Sequence, residues 1–416
     1  MSSVAVVDGY STGNYLPPAF ARLGLGAVHL LSTPEPRPGL QPPILGAYEA
    51  EVVYAGTVEE AAAALGPYRP VAVLAGSEPG VPLADALSER LGLPSNGSAL
   101  SAARRDKHRM VETVRAAGLR CARQLLSANP DEIAVWAKGE GWPVVVKPIS
   151  AASTQGVSIC VNAADVLRAA QEVLGSTDIF GSRNTYVLVQ SYLAGTEYVV
   201  DTVAADGRRY VCAVWEYEKT TTDAGRPVYD RMVLVDPDAP EIPELVRYTD
   251  GVLDALGIRH GPAHTEVMLT PAGPSLVEVG ARLNGAMRPG FDDLSVEINM
   301  ADATALAYAR PDEFAARYGG RVYRQHRHAA VYFTRTRLDG VVESVDEAMA
   351  DRIRSLPTVS VLDVRLRPGQ RIQPTIDLMT SPLRLHMVDA DPAALRADQI
   401  VVAGLADRVY RVVAPA

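Results

Sequence analysis

The sequence lacks any long apolar run. Its apolar stretches, such as 71–75 and 144–146, meet Gly, Pro or Lys within a few residues, whereas a membrane-spanning helix needs about 20 apolar residues. The opening MSSVAVVDGY has no positive segment and no long apolar stretch, so it reads as a first strand rather than a signal peptide. We therefore expect no membrane partner and a cytoplasmic protein.

Cysteine is scarce, and the basic residues are not clustered. Cys121, Cys160 and Cys212 show no CxxC or Cys/His spacing, which disfavours a disulfide framework and a structural zinc site. We expect these cysteines to be small buried residues. A formal charge of −9 without a basic cluster argues against nucleic acid as a partner, because a phosphate backbone requires a concentrated Lys/Arg face.

Lysine is nearly absent, since only four of the 40 basic residues are lysine: Lys107, Lys138, Lys147 and Lys219. A chain that uses arginine for almost every cation retains a lysine either by chance or where a compact ammonium is needed in place of a planar guanidinium. The four lysines are therefore candidates for functional cations.

The first ninety or so residues alternate apolar strands with helical patterns. Strands are predicted at 4–7, 28–31 and 71–74, and helices at 17–23, 58–65 and 83–91. This alternation indicates parallel βαβ units in a doubly wound sheet, whose ligand-binding turns follow the strands. The turns at 8–13 and 76–80 contain neither a GxGxxG motif nor a Walker loop, so a dinucleotide site or a P-loop is not supported.

The middle of the chain reads as a basic helix over 103–117 followed by strands and short helices. Strands are predicted at 144–146, 158–161, 186–190, 198–204 and 210–216, with a helix over 161–174. From about residue 320 the pattern changes to short arginine-rich strands and two helices, at 345–356 and 392–401. With 416 residues, the chain suits two or three packed units.

Lys147 ends an apolar strand and precedes a loop of small residues, Ala151 to Gly156. A buried strand rarely ends in lysine without an anionic partner, because an unpaired buried ammonium is costly. The loop offers hydroxyl and backbone N–H groups, which suit phosphate oxygens. The two features together indicate phosphate contact, although surface hairpins also contain Ser, Thr and Gly.

Two further segments carry carboxylates on predicted strands. In VLVQSYLAGTEYVVDTV, a strand leads through a turn to Glu197, which could hold ribose hydroxyls or simply belong to a polar hairpin. In HTEVMLTPAGPSLVEVGARLNGA, two alternating strands flank a Pro/Gly turn, so Glu266 and Glu278 can project from one face of a hairpin. Facing carboxylates require a cation, and oxygen ligands suit Mg²⁺. Arg282 could stabilise transferred phosphate or an oxyanion; an ordinary salt-bridged hairpin is the alternative.

These segments, in this order, resemble the ATP-grasp superfamily, and within it the dipeptide-forming L-amino acid ligases such as the bacilysin-type ligase. LPSN followed by RRDKHRM matches the opening motif of that family, with Lys107 on its first nucleotide-binding lysine and Lys147 on its second. The resemblance implies further nucleotide contacts at Ser153, Thr154, Gln155 and Gly156 for phosphate, at Gln190, Tyr192 and Leu193 for adenine, and at Glu197 for ribose. It also implies Mg²⁺ ligands at Glu266 and Glu278 and a catalytic Arg282.

The sequence differs from the wider family at Gly280, where many ATP-grasp enzymes have asparagine. Amino acid ligases of this type often lack that asparagine. Substrate contacts are less firmly implied, at Glu78 for an amino group, at Glu216 and Lys219 on the acceptor side, at His264, and at Ala286, where a bulky residue is often found. An exposed hairpin pair is the alternative for Glu216 and Lys219, and a hydrogen-bonded structural histidine is the alternative for His264.

The resemblance implies an α/β ATP-grasp fold with a Rossmann-like domain at 1–95, an ATP-grasp region at 96–320 with a lid at about 120–190, and a C-terminal α+β subdomain at 321–416. It implies a carboxylate–amine ligase that uses ATP and two Mg²⁺ ions, with Mn²⁺ as a substitute. The expected product is an amide, formed from two L-amino acids or an amino acid and a related amine through an acyl phosphate in specialised biosynthesis. A homodimer is one expected assembly. The alternatives are a ligase for a non-amino-acid carboxylate and an inactive nucleotide-binding regulator.

Overall fold

The computed structural model describes residues 2–35, 37, 39–54, 56–149, 156–178, 181–221 and 227–414. Within those residues, no helix is both long and apolar enough to cross a membrane. Of the three cysteines, Cys160 and Cys212 are buried as expected, and Cys121 is partly exposed.

The N-terminal part is the predicted parallel sheet with helices. Its elements are β1 (Ser3–Val7), α1 (Leu16–Ala21), β2 (Gly26–Leu31), β3 (Ala50–Val53), α2 (Val58–Leu65), β4 (Pro70–Ala75) and α3 (Val81–Arg90). The strands lie in the order β3-β2-β1-β4, and every pairing is parallel. Thr57 and Glu60 cap the start of α2 reciprocally, which explains why that helix begins where the sequence predicts.

The predicted basic helix begins later than expected, as α4 (Lys107–Ala116). Asp106 sets its start, because its side chain accepts hydrogen bonds from the backbone N–H groups of His108 and Arg109. Arg104, just before the helix, is buried and pairs with Asp85 of α3 at 2.7 Å. This pair attaches the N-terminal sheet to the start of the next region.

A small antiparallel sheet follows, in the order β5-β8-β6-β7. Its elements are β5 (Gln124–Ser127), α5 (Pro130–Glu140), β6 (Val144–Lys147), β7 (Ser158–Cys160), α6 (Ala163–Val173) and β8 (Val187–Ser191). Apolar residues of α5 and α6, including Ile133 and Val166, form one core with Val144 and Val146 of β6. These elements span residues 124–191; the lid expected at about 120–190 stays a prediction.

The largest sheet has eight strands, in the order β13-β12-β9-β10-β11-β14-β18-β16. Its central elements are β9 (Thr196–Ala205), β10 (Arg208–Thr221), β11 (Pro227–Leu234), α7 (Ile242–Ala255), β12 (Gly261–Thr270), β13 (Gly273–Gly280), α8 (Pro289–Ser295), α9 (Met300–Ala309), α10 (Pro311–Arg317) and β14 (His328–Phe333). The predicted hairpin is β12–β13, and it is antiparallel.

The C-terminal segment completes the same sheet and adds a smaller one. Its elements are β15 (Gly340–Val345), α11 (Glu347–Arg354), β16 (Val359–Val364), β17 (Arg371–Ile372), β18 (Leu383–Asp389), α12 (Pro392–Leu405) and β19 (Tyr410–Val413). The smaller sheet has the order β17-β15-β19. On β18, Leu383, Leu385 and Met387 pack into the C-terminal core, so Arg384 and His386 face the central part of the molecule.

Candidate active site

The hairpin β12–β13 carries two carboxylates directly opposite each other, Glu266 and Glu278, called here the acidic pair. The ammonium of Lys107, from the first turn of α4, forms an ion pair with Glu278. Burial opposes ionisation of Glu278, but the charges of Lys107, Lys147 and Arg282 outweigh it and lower the pKa of this carboxyl. Glu278 is therefore surrounded by cations that come from three separate segments.

Lys147, at the end of β6, is buried and only 6% exposed. Burial, followed by the nearby charge of Lys107, lowers its pKa to about 8, against the opposing effects of Glu278 and Glu266. The lysine thus lies where the small sheet meets the acidic pair, and its binding of phosphate stays a prediction. Of the loop after it, Ser153, Thr154 and Gln155 lie outside the described residues.

Gly156 closes that loop with φ of +70°, a backbone conformation that other residues rarely adopt. A Cβ at this position would lie 3.1 Å from Pro148, so both the backbone conformation and the space favour glycine. The requirement for glycine at Gly156 is therefore explained by the chain itself, whatever the loop binds.

The residues expected at adenine lie on and after β8. Gln190 is buried, and its amide nitrogen donates to the side-chain oxygen of Gln124 on the neighbouring strand β5 at 2.9 Å. Tyr192, just past the strand, is 41% exposed, and Leu193 is half-buried. A fixed glutamine followed by an accessible aromatic and aliphatic pair is suited to holding a planar base.

Glu197, at the start of β9, is 5% exposed and forms an ion pair with Lys219 of β10. The hydroxyl of Tyr229 donates to the same carboxylate at 3.2 Å. Burial raises the pKa of Glu197, while Lys219 and Tyr229 lower it. Lys219, which was expected on the acceptor side of the substrate pocket, therefore contacts Glu197, the residue expected to bind ribose.

Glu216 is not brought together with these residues. It is three positions from Lys219 on β10, and successive side chains of a strand face opposite sides. Burial and the charges of Glu218 and Glu241 raise its pKa. Its expected substrate contact would therefore lie on the face of the sheet opposite to Lys219.

His264 forms a buried hydrogen-bond network, in line with the structural alternative given for it, but its partners Asp201 and Asn284 were not predicted. Its Nδ1 lies 2.8 Å from Asp201 of β9, and its Nε2 lies 3.5 Å from Glu266 of the acidic pair. The amide of Asn284 donates to the second oxygen of Asp201 at 2.6 Å. Burial opposes protonation of His264, but Asp201 dominates and raises its pKa to about 9. The alternation of β9 offered one signal, because Asp201 lies four positions after Glu197 and faces the same side.

Glu78 follows β4 in the N-terminal part and joins two arginines. Its carboxylate lies 2.8 Å from Nη1 of Arg105 and 3.1 Å from Nε of Arg282. Nη1 of Arg282 donates to the carbonyl oxygen of Leu283. An added Cβ at Gly280 would lie within 3.0 Å of both Glu78 and Arg282. The glycine at this position therefore leaves room for the ion pair between Glu78 and Arg282.

Beside the His264 network, a pocket is enclosed by polar and apolar side chains. The polar side chains include Asp201, Asn284 and Asp292, and the apolar ones include Trp215 and Phe291. Ala286 also lines this pocket, together with Met232, Met287, Met300 and Val331. Ala286, where a bulkier residue is often found in similar ligases, is thus one of the lining residues, and its contact with substrate stays a prediction.

Comparison with known proteins accounts for this arrangement. Residues 140–289 match the family described as an ATP-grasp domain. Dapdiamide A synthase from Enterobacter agglomerans is 34% identical over 398 residues, which cover 94% of this chain and 93% of that protein. The chain belongs to the ATP-grasp family of ligases.

Solved structures share the whole fold of this chain. The L-amino acid ligase from Bacillus licheniformis has a TM-score of 0.75 and 20% identity, with 100% of this chain and 99% of that chain covered. The biotin carboxylase domain of the Hydrogenobacter thermophilus 2-oxoglutarate carboxylase, solved with MgADP, has a TM-score of 0.64 and 13% identity, with 99% and 91% covered. The expected ATP-grasp fold is confirmed, including its parallel N-terminal sheet and large antiparallel sheet.

Proposed function

We propose that this ATP-grasp ligase joins the carboxylate of one L-amino acid to the amine of another, or of a related amine, with release of ADP and phosphate. The observation that carries the proposal is the acidic pair surrounded by Lys107, Lys147 and Arg282. Carboxylates for metal ions and fixed cations for phosphates are the groups that phosphoryl transfer requires. The names of the two relatives, a dapdiamide synthase and an L-amino acid ligase, support amide formation in specialised biosynthesis.

The acidic pair fits Mg²⁺. Its donors are carboxylate oxygens on adjacent strands, the ligand type that Mg²⁺ prefers when it is bound together with nucleotide phosphates. The ion pair of Glu278 with Lys107 indicates that the site already requires a compensating cation. Glu266 and Glu278 would hold two Mg²⁺ ions, or Mn²⁺ in their place, which would supply positive charge opposite the transferred phosphate.

The nucleotide would lie between the small sheet and the large one. Gln190, Tyr192 and Leu193 would hold adenine, and Glu197 would accept hydrogen bonds from ribose. Lys107 and Lys147 would bind the phosphates, together with the loop that ends at Gly156 and includes Ser153, Thr154 and Gln155. Nucleotide binding would break the ion pair between Lys107 and Glu278. Lys107 would then contact phosphate, and Glu278 would be free to hold a metal ion.

The chemistry would then proceed in two steps. An oxygen of the substrate carboxylate attacks the γ-phosphorus, the bond to the β-phosphate oxygen breaks, and ADP leaves. The neutral amine attacks the carbonyl carbon of the resulting acyl phosphate, the carbon–oxygen bond to phosphate breaks, and the amine gives up one proton as phosphate leaves. Arg282, whose charge acts on Glu278, would stabilise the negative charge that develops in both steps.

The substrates would occupy the space between Glu78 and the pocket. Glu78 follows the end of β4 and lies beside Arg282, and its carboxylate is suited to binding the ammonium group of a substrate. The pocket beside Ala286 and Trp215 would receive a side chain, and His264 would lie at its border with the acidic pair. Lys219 would hold the carboxylate of Glu197 in place through their ion pair. Glu216 would contact substrate only if the substrate reached the opposite face of the sheet.

The experiment is phosphate release from Mg-ATP across a matrix of amino acids, offered singly and in pairs, with mass spectrometry of each active well. We expect release that requires a pair and a product equal in mass to the condensed pair. Glu278→Gln should abolish release, whereas Glu343→Gln, a matched change at an exposed residue, should not. Silence in every well with ATP still bound would contradict the ligase proposal and favour the regulator.

A further inference from the structure

The pocket beside the His264 network contains a carboxylate without a cation, that of Asp292 on α8. Asp292 is only 7% exposed, and it is one of the residues that line the pocket. None of the described residues that line this pocket is a lysine or an arginine. The carboxyl group of Asp292 therefore lies in the pocket lining without an opposite charge beside it.

Hydrogen bonds within the chain account for one oxygen of Asp292. Its Oδ2 accepts from the backbone N–H of Arg288, the residue before α8, at 3.1 Å. Its Oδ1 accepts no hydrogen bond from a described residue. The guanidinium of Arg288 does not supply one, because it donates to both oxygens of Asp363 at 2.6 Å. A buried carboxylate with an unpaired oxygen is costly, which indicates that the pocket receives a hydrogen-bond donor.

The other oxygen-bearing side chains of the pocket have partners. Both oxygens of Asp201 are hydrogen-bonded, one of them to the amide of Asn284 at 2.6 Å. The hydroxyl of Ser295 donates to a backbone carbonyl of its own helix at 3.1 Å. The amide nitrogen of Asn299 donates to two carboxylates, and its oxygen accepts from a backbone N–H. A group that enters the pocket would therefore meet one side-chain acceptor without a partner, Oδ1 of Asp292.

The electrostatics of the pocket favour a donor that carries positive charge. Burial raises the pKa of Asp292 well above that of an ordinary carboxyl group, and the negative charge of Asp201 raises it further, against the effect of the Arg288 N–H. An ammonium group would offset this penalty, because it would stabilise the ionised carboxylate, whereas a neutral amide or hydroxyl would not. The rings of Trp215 and Phe291, stacked with centroids 6.4 Å apart, line the same pocket, and aromatic faces also attract cations.

The pocket lies on the face of the large sheet that carries the acidic pair. Asp201 on β9 is directly opposite His264 on β12, and Glu266 is two residues after His264. On the other side of β9, Asp201 is opposite Ala213 of β10, and Trp215 is two residues further along. Because alternate residues of a strand share a face, these side chains lie on one side of the sheet. A substrate could therefore react at the acidic pair and place its side chain in the pocket.

We propose that Asp292 binds a side-chain ammonium group of one substrate, and that this substrate is therefore a diamino acid. The proposal rests on the proposed function, because it assigns the side-chain pocket of the same site. Oδ1 of Asp292 accepts a charge-assisted hydrogen bond from the ammonium, and Trp215 and Phe291 pack on the methylene groups that precede it. Asp292 is in this way a specificity-determining residue that does not contact the reacting atoms.

The first test is independent of turnover and uses calorimetry on the full chain with Mg²⁺ and a non-hydrolysable ATP analogue. The probes are two pairs of L-amino acids, ornithine with norleucine and 2,4-diaminobutyrate with norvaline. The members of each pair have side chains of equal length and differ in the terminal amine. We expect the native chain to bind the diamino acid about tenfold more tightly than its isostere in at least one pair.

Variants assign this preference to one carboxylate. Asp292→Asn keeps an acceptor for the N–H of Arg288 but removes the charge, and it should lose the preference. Asp292→Ala should lose it too, and thermal unfolding verifies that each variant is folded. Asp293→Asn, the same change at the exposed neighbouring residue, should retain the preference. No preference in either pair, an equal preference in native chain and folded Asp292→Asn, or tighter binding of glutamine than of both diamino acids would overturn the proposal.

The second test measures ligation of the same amino acids with a common partner. In Asp292→Asn, kcat/KM for the preferred diamino acid should fall about tenfold, whereas kcat/KM for its isostere should not fall. An equal fall for both would contradict the proposal, because it would mean that Asp292 acts only on the structure of the site. Ligation of neutral amino acids without a preference for the amine would overturn the subsite and leave the proposed function standing. Binding of a diamino acid that depends on Asp292, without ligation of any pair, would support the subsite and contradict the proposed function.

Discussion

The contact between Asp201 and His264 should stabilise the folded chain, and this stabilisation should depend on pH. Asp201 accepts from His264 and Asn284 at 2.8 and 2.6 Å, and all three side chains are buried. Asp201 raises the pKa of His264 from 6.5 to about 9, against the opposing effect of burial. At 1.36 kcal/mol per pH unit, this shift corresponds to about 3 kcal/mol.

The sign follows from proton binding. The pKa of His264 is 6.5 in the unfolded chain and about 9 in the folded one. The protonated histidine therefore contributes its full stabilisation of the folded state below pH 6.5, and this stabilisation is lost as pH rises through about 9. Asp201→Asn keeps an oxygen acceptor but removes the charge. The variant should therefore be about 3 kcal/mol less stable than the native chain near pH 6, and the difference should shrink as pH passes about 9.

Urea unfolding followed by tryptophan fluorescence at several pH values measures the effect. Glu343→Gln, the same type of change at an exposed carboxylate, should follow the native chain at every pH. A loss of stability in Asp201→Asn that is the same near pH 6 and above pH 9 would refute the reasoning, because it would mean that the His264 charge makes no contribution to stability.

Two other predictions concern the cations of the site. Mg-ATP should bind more weakly as pH rises through about 8, because Lys147, whose pKa burial and Lys107 lower to about 8, then loses its charge; Lys147→Arg should remove this dependence in calorimetry. An equally steep dependence in that variant would exclude Lys147 as the cause. Arg282→Gln should lower kcat about 10²- to 10³-fold with little change in ATP affinity, measured by steady-state phosphate release, whereas Lys138→Ala should leave both unchanged. A mainly weakened ATP affinity would contradict the role of Arg282.

Much of the fold could be predicted from the sequence, because its strongest patterns are local. The hairpin of Glu266 and Glu278 follows from two alternating strands around a Pro/Gly turn, and the observed register places the two residues opposite each other. Strand β3 was not predicted, since Ala50–Val53 is a short edge strand with a glutamate and little burial. The start of α4 was predicted too early, because Asp106 caps the helix and Arg104 has a buried tertiary role.

The parts of the site that could not be predicted are those made by distant residues. Asp201, His264 and Asn284 are far apart in sequence and meet only because β9 and β12 pair. The ion pair of Arg384 with Asp363 likewise depends on the pairing of β16 with β18. The separation of Glu216 from Lys219 was, by contrast, open to prediction, because an odd spacing on one strand places side chains on opposite faces.

The most direct test of the central claim follows the oxygen atoms of the carboxylate substrate. An amino acid labelled with oxygen-18 in its carboxyl group is ligated with unlabelled Mg-ATP and its partner amine, and the released phosphate is analysed by mass spectrometry. If Arg282 and the acidic pair support attack of the carboxylate on the γ-phosphate, each phosphate will carry one oxygen-18 atom. Unlabelled phosphate, or label in AMP, would contradict the acyl-phosphate account.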